Sequence, residues 1–328
     1  MSILVLGGAG YIGSHTAYEI IENGGEVVVA DNLQTGHEQA LHPKAKFYKG
    51  DIRDKEFLDK LFEREKIDYV IHFAADALVG ESMENPLKYY DNNLYGTMVL
   101  LKSMIEHDVK KIVFSSTCAT YGQPEIVPIT EDEKQSPTNA YGETKLAMEK
   151  MMKWTDYAHG LKYVALRYFN AAGAHKSGKI GEDHAIETHL IPLIMQVPNG
   201  QRKEIKIFGD DYPTKDGTCI RDYIHVTDLA KAHILAMEYL SKGGRSEAFN
   251  LGTENGYSVK EVIEMSRKVT KHPIPSVIVQ RREGDPAELI SASEKAMKIL
   301  GWKPECSDLE EIITTAWNWH KNHPNGFA

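Results

Sequence analysis

An apolar strand that breaks at once into clustered glycines, with a helix directly behind them, leaves a chain few ways to fold. Ile3–Leu6 runs into Gly7-Gly8-Ala9-Gly10-Tyr11-Ile12-Gly13, and a helical pattern follows near His15–Glu22. Both G-x-x-G-x-x-G and G-x-G-x-x-G fit this run. Glycines there allow a tight strand-to-helix turn and let backbone N–H groups approach a pyrophosphate at the helix N-terminus. The bland alternative is a structural turn, but the strand before and the helix after supply the context the fingerprint requires.

Asp31 ends the next apolar run, Val27-Val28-Val29-Ala30-Asp31, about twenty residues beyond the glycines. A carboxylate at that point accepts both hydroxyls of an adenosine ribose and repels a 2′-phosphate. The expected dinucleotide is therefore NAD, not NADP. Asn32 follows on the same turn. Asp51-Ile52 comes just after a third strand, where such folds hold the adenine edge; Asp51 taken alone reads equally well as a helix N-cap.

The rest of the first half repeats the alternation. Lys46–Lys49, Tyr69–His72, Lys111–Ser115 and Leu161–Tyr168 read as further buried parallel strands. Helical patterns lie at Lys55–Glu65, Pro86–His107 and Thr144–His159. This β-α repetition predicts an α/β fold, a doubly wound Rossmann-type parallel sheet with right-handed crossovers and ligands at the carboxyl ends of its strands. The second half is less regular. A helical piece is expected around Ile186–Gln196, a helix at Val226–Leu240, a strand at Ala248–Leu251, and helices at Val259–Val269 and Leu309–His320. The expected division is an NAD-binding domain over 1–170, with 222–250 returning to it. A smaller mixed α/β lobe for substrate is expected from 171–221 and 251–328.

Composition narrows the function classes. The chain has 328 residues and a net charge of −9 with acids and bases interspersed, so no basic stripe marks a nucleic-acid surface. No apolar run is long enough to span a bilayer, and the start lacks the basic region of a signal peptide. The three cysteines, Cys118, Cys219 and Cys306, are odd in number and far apart, which fits a reducing cytoplasm better than a disulfide framework. The closest histidine pairs, His184/His189 and His320/His323, lack a convincing set of partner ligands along the sequence. They read as loop or surface histidines, and no metal is expected.

The chemistry concentrates after the fifth strand. Tyr141-Gly142-Glu143-Thr144-Lys145 places a tyrosine and a lysine on one helix face. A nearby ammonium favours phenolate, so the tyrosine pKa is expected to fall toward neutrality, making Tyr141 a general base toward a sugar hydroxyl. The motif alone is common. Its position behind Ser115-Ser116-Thr117, at the carboxyl edge of the sheet, carries the weight. Thr117 reads as a holder of the substrate oxygen or, more blandly, as a strand-end turn residue.

With these motifs in order, the chain resembles the UDP-glucose 4-epimerases of the extended short-chain dehydrogenase/reductase family. The resemblance is carried by Gly-Gly-Ala-Gly-Tyr-Ile-Gly-Ser-His (7–15), Gly-Asp-Ile-Arg (50–53), His-Phe-Ala-Ala (72–75), Tyr-Tyr-Asp-Asn-Asn (89–93), Arg-Tyr-Phe-Asn (167–170), Arg-Asp-Tyr-Ile-His-Val (221–226) and Arg-Arg-Glu-Gly-Asp (281–285). It implies that Thr117, Tyr141 and Lys145 are catalytic. It implies NAD contacts from Gly7, Gly10, Tyr11, Ile12, Gly13, Asp31, Asn32, Asp51, Ile52, Phe73, Ala74, Asn92, Ser115 and Tyr168, besides Tyr141 and Lys145. It assigns Asn170, Leu190, Phe208, Arg221, Arg282 and Asp285, with Thr117, to a UDP-sugar. Two arginines suit a diphosphate through charge-assisted bonds, although such a pair also reads as a surface salt-bridge network. A homodimer is implied as well, through the helices at Pro86–His107 and Thr144–His159.

The pattern also departs from the family. Thr117 stands where many members carry serine, a basic residue near Ala77 is missing, and Thr188-His189 replace paired asparagines before Leu190. A nucleotide-sugar 4,6-dehydratase is the first rival, disfavoured because Cys118-Ala119, not Asp-Glu, follows Thr117. A catalytically silent NAD sensor is the second, disfavoured by the intact Thr117/Tyr141/Lys145 set. In the family that the chain resembles, a bulky aromatic shortly after the Arg-Glu-Gly-Asp run limits space at the sugar C2; Asp285–Ser291 has none, so the resemblance implies room for an N-acetyl group and activity on UDP-N-acetylglucosamine, against which a buried Glu288 carboxylate would work by desolvation.

Overall fold

The computed structural model describes residues 2–282 and 285–328. Its central element is the predicted sheet. Strands β1 (Ser2–Leu6), β2 (Glu26–Asp31), β3 (Lys46–Lys49), β4 (Tyr69–His72), β5 (Lys111–Ser115) and β6 (Lys162–Arg167) come first along the chain. The short strands β7 (Asn170–Ala172), β8 (Ile205–Phe208), β9 (Ile220–Arg221) and β10 (Tyr223–His225) follow, and β11 (Glu247–Asn250) returns to the large sheet beside β6. The order is β11-β6-β5-β4-β1-β2-β3, and every pairing is parallel. Chain order reverses between β1 and β4, which opens the crevice where doubly wound sheets bind ligands.

The period of two along each strand sorts the core onto two faces. Ile3, Val5, Val27 and Val29 pack on one side with Ala17 and Ile20 of helix α1 (Tyr11–Glu22). Leu4, Leu6, Val28 and Ala30 pack on the other with Leu58 and Leu61 of α2 (Lys55–Arg64). Both faces are therefore apolar, as continuous Val/Ile/Leu strands require.

The helix expected over Pro86–His107 is not one helix. After α3 (Val79–Glu84) come α4 (Pro86–Tyr89), a π-helical stretch at Tyr90–Tyr95, and α5 (Gly96–Glu106). The wide turn buries two consecutive polar residues, Asn92 and Asn93. Asn93 spends its amide on the Asp76 backbone N–H at 2.8 Å and carbonyl at 3.0 Å, and on Thr144 Oγ1 at 3.2 Å. Such insertions cluster at functional sites. Helix α6 (Ala140–His159) begins four residues before the expected Thr144, because Asn139 caps it by accepting from the Gly142 N–H at 2.8 Å.

The remaining chain builds a second core. Helix α7 (Leu190–Met195) is shorter than expected, α8 (Val226–Ser241) packs against α1, and α9 (Val259–Thr270) carries a capping box between Ser258 and Glu261. Strands β12 (Tyr257–Ser258) and β14 (Glu288–Leu289) flank β9, while β13 (Ser276–Val279) pairs with β8. Helices α10 (Glu294–Leu300) and α11 (Leu309–Asn322) complete the chain. Ile191, Ile194, Ile205, Ile207, Val262 and Ile312 are among the residues of this core. No described helix is long and apolar enough to cross a membrane.

Candidate active site

The glycine turn is built by close approach. Gly7 adopts φ +75°, and a Cβ there would stand 2.6 Å from the Ala74 backbone nitrogen. A Cβ on Gly13 would lie 2.2 Å from the Gly7 carbonyl oxygen. Gly10 caps α1 without a side-chain bond, and no acid sits in the first turn, so that end offers unpaired N–H groups and no competing anion. Asp31 is buried at the end of β2 and accepts from the Ala9 N–H at 3.0 Å and the Leu33 N–H at 2.8 Å. Its carboxylate thus faces the turn it was expected to serve. Burial raises its pKa, and the two N–H bonds oppose that.

Asn32 donates to Asp51 at 3.1 Å, and Arg53 grips both oxygens of Asp51 at 2.9 and 2.7 Å. The guanidinium holds the Asp51 carboxyl well below the usual range. The N-cap of α2 is Asp54, so Asp51 is not that helix's cap. Ile52 is buried beside it. Phe73 continues from β4 and stacks near His233 with ring centroids 4.6 Å apart. The Tyr11 hydroxyl donates to the Gly173 carbonyl at 2.6 Å and ties the glycine turn to the segment after β7. This donor set, with its tight glycines, free helix end and a carboxylate at the end of β2, fits a dinucleotide.

Thr117, Tyr141 and Lys145 converge at the carboxyl end of β5. The Thr117 hydroxyl accepts from the Ala119 N–H at 3.1 Å and caps a short 3-10 turn, as the turn reading of Thr117 expects. Lys145 is buried and donates to the Ser115 carbonyl at 2.8 Å, with its ammonium 5.8 Å from the centre of the Tyr141 ring. The expected lowering of the tyrosine is not what the surroundings produce. Burial pushes the Tyr141 phenol up to about 12, against the bond from Thr117 that favours the phenolate. The lysine moves instead: burial brings its ammonium down to about 7, opposed by the Glu149 carboxylate. Tyr168 and Ser115 share a hydrogen bond of 2.6 Å beside this group.

Sequence reasoning missed the support behind these residues. Glu149, one turn beyond Lys145 on α6, bonds Ser116 at 2.5 Å and Arg167 at 3.0 Å. Arg167 donates onward to Tyr121 at 2.7 Å, and Tyr121 donates to Asn250 at 2.7 Å. The i, i+4 spacing from Lys145 to Glu149 was the available signal. Near Ala77, where the family's basic residue is absent, Lys88 pairs with Asp76 at 3.8 Å and Glu81 at 2.7 Å.

The expected substrate residues gather in the second core. Asn170 donates to the Asp222 carbonyl at 2.9 Å, Leu190 opens α7, and Phe208 ends β8 with the Arg282 guanidinium 4.1 Å over its ring. Arg221 pairs directly with Asp285, and its other nitrogen donates to the Ile220 carbonyl at 2.7 Å. The two residues expected on separate ligand groups thus meet each other. Glu283 and Gly284 of the Arg-Arg-Glu-Gly-Asp run lie outside the described residues.

Residues 3–252 match the model of the NAD dependent epimerase/dehydratase family. The chain belongs to this family. It is 61% identical over its full length to a UDP-glucose 4-epimerase of Halalkalibacterium halodurans, of which it covers 98%. It is similar to a crystal structure of a UDP-glucose 4-epimerase, with TM-score 0.99, 56% identity and full coverage of both chains. It is also similar to the Bifidobacterium longum UDP-glucose 4-epimerase solved with NAD+ and UDP, with TM-score 0.94 and 43% identity over 99% of this chain and 100% of that one. These likenesses span both halves of the chain, beyond the family model's own range.

Proposed function

We propose that this chain is an NAD-dependent UDP-glucose 4-epimerase, interconverting UDP-glucose and UDP-galactose. The observation that carries the reading is the convergence of Thr117, Tyr141 and Lys145 at the carboxyl end of β5, beside a glycine turn built for a pyrophosphate. NAD held at the glycine turn and Asp31 would supply reversible hydride transfer at C4. Tyr141 takes the O4 proton and Thr117 holds that oxygen. Lys145, with its ammonium brought near neutrality, exchanges a proton with the tyrosine side. Arg221 and Arg282 bind the diphosphate end, Asp285 a ribose hydroxyl, and Asn170, Leu190 and Phe208 flank the nucleotide. Holding the remote UDP lets the keto sugar turn between the two transfers without leaving.

On this reading residues 1–170 with 222–250 hold NAD, and residues 171–221 with 251–328 hold the UDP-sugar. The enzyme is cytoplasmic and works as a homodimer. On the helices expected at the dimer face, Met104, Met148 and Met152 are buried within the chain. Tyr95, which caps α5, and Trp154 and Tyr157 on α6 are exposed and support that face. The deciding experiment is incubation with UDP-galactose alone. UDP-glucose appears without added oxidant if the reading is right; a dehydrated keto sugar identifies the dehydratase, and no turnover identifies a sensor.

A further inference from the structure

The segment between β7 and α7 holds a cluster that the reaction does not use. Glu182, His184, Glu187 and His189 bring one ligand atom each to within 4.8 Å of one another. The four groups fall within eight consecutive residues, and the fold aims both imidazole Nδ1 atoms at the two carboxylates. We propose that Glu182, His184, Glu187 and His189 form a structural site for a divalent cation of the zinc class.

The spacing favours a tetrahedral ion. Ligand atoms at zinc bond lengths of 2.0–2.1 Å stand ~3.3–3.4 Å apart around a tetrahedron. His184 Nδ1 lies 3.3 Å from Glu187 Oε2 and 3.6 Å from Glu182 Oε1, close to that spacing. His189 Nδ1 meets the same Glu182 oxygen in a 2.5 Å hydrogen bond, which opens when the metal replaces its proton; its 3.7 Å approach to Glu187 is to the other oxygen, Oε1. Two imidazoles and two carboxylates form a borderline nitrogen/oxygen set that suits zinc better than calcium or magnesium.

The ligands are also held in place, as a metal site requires. The Glu182 side chain is almost wholly buried, and its backbone carbonyl accepts from the indole N–H of buried Trp319 at 3.1 Å. Glu187 turns one oxygen onto the Thr188 and His189 N–H groups, 2.7 Å each, leaving the other toward His184. His189 is half exposed, which gives an ion a path in from solvent. Four protein ligands leave no open position, so the ion is structural and not a Lewis acid for substrate. It fixes the loop that delivers Leu190 to the start of α7.

The test uses the tag-free, full-length protein stripped with a chelator and reloaded with zinc chloride alone. One zinc per chain is expected by elemental analysis after gel filtration. His184→Ala and His189→Ala each weaken zinc binding at least about tenfold, as losing even an outer-shell partner does, while His159→Ala on an exposed helix end does not. Cobalt substitution of the unaltered protein gives a direct readout should a variant fail to fold: intense visible absorption marks tetrahedral coordination. The absence of stoichiometric zinc, equal binding by the His184→Ala and His189→Ala proteins, or the weak spectrum of octahedral cobalt would each overturn the site.

Discussion

At the scale of single residues, the geometry separates the two members of the Tyr-x-x-x-Lys pair by where their charges are stable. Burial works in opposite directions on an acid and a base. It holds Tyr141 protonated to about 12 and lowers Lys145 to about 7. On the proposed reading the phenolate is then a state reached only at the moment of reaction, and deleting its oxygen removes the base. Tyr141→Phe is expected to lower turnover by roughly 10²–10⁴-fold while NAD stays bound, checked by steady-state rates beside the cofactor released on denaturation. Near-normal turnover in the folded variant would sink the assignment. A second residue-level expectation concerns the sugar. Glu288 is half-buried in β14, pairing in register with Ile220, and no aromatic stands in the stretch around it. Turnover of UDP-N-acetylglucosamine is expected in addition to UDP-glucose. If the acetylated pair gives no product where UDP-galactose is converted rapidly, a carboxylate or neighbour closes the pocket instead.

At the scale of elements, what was legible follows from where the signal is strongest. The strands of the large sheet are buried on both faces, so each reads as an apolar run, and β1 to β5 lie within a residue or so of their expected bounds. The glycine turn was legible because strand, turn and helix agree. The π-helical break at Tyr90–Tyr95 was not, because its cause is the inward demand of Asn92 and Asn93, a tertiary contact with no local signature. Strands β8, β9, β12, β13 and β14 are two to four residues each, too short for a period to show. The turn makes its own test. An added methyl at Gly13 meets the Gly7 carbonyl oxygen at 2.2 Å, so α1 must move away from the pyrophosphate position. Gly13→Ala is expected to lose its tightly held NAD, measured by cofactor content after purification. Gly24→Ala is the comparison: at φ +84° with nothing within 4 Å, it costs about 1 kcal/mol of backbone strain and keeps its cofactor. Equal NAD in both proteins would contradict the cradle.

At the scale of the whole molecule, the faces left uncovered and the groups sealed inside decide how the protein behaves in solution. Tyr157 is 86% and Trp154 66% exposed on one helix, with their rings 6.1 Å apart. Exposed aromatics grouped this way support the dimer face proposed above. Light scattering at micromolar concentration is expected to give twice the chain mass, and Trp154→Glu with Tyr157→Glu to give one. A monomeric unaltered protein would refute the dimer. Four histidines are among the sealed groups. His15, His72, His225 and His233 are buried, and burial lowers their pKa to about 3, 3, 4 and 4. Of these, His15, His72 and His233 each leave one ring nitrogen without a partner, which suits the neutral ring. Unfolding returns every one of them to a pKa near 6.5, so between that value and about 4 the unfolded chain binds more protons than the folded one. The stability that neutral burial contributes is thus fully present above about pH 6.5 and drains as pH falls. The depressed carboxylate Asp51 adds its own loss only at lower pH, below the usual carboxylate range. Urea midpoints are therefore expected to drop steadily between about pH 6.5 and pH 5, each histidine adding at most about 1.4 kcal/mol per pH unit. Replacing one of them by a neutral group, as in His233→Met, removes one proton from that slope whatever it does to stability at neutral pH. A midpoint that stays level across this interval would mean that these rings already carry their protons in the fold.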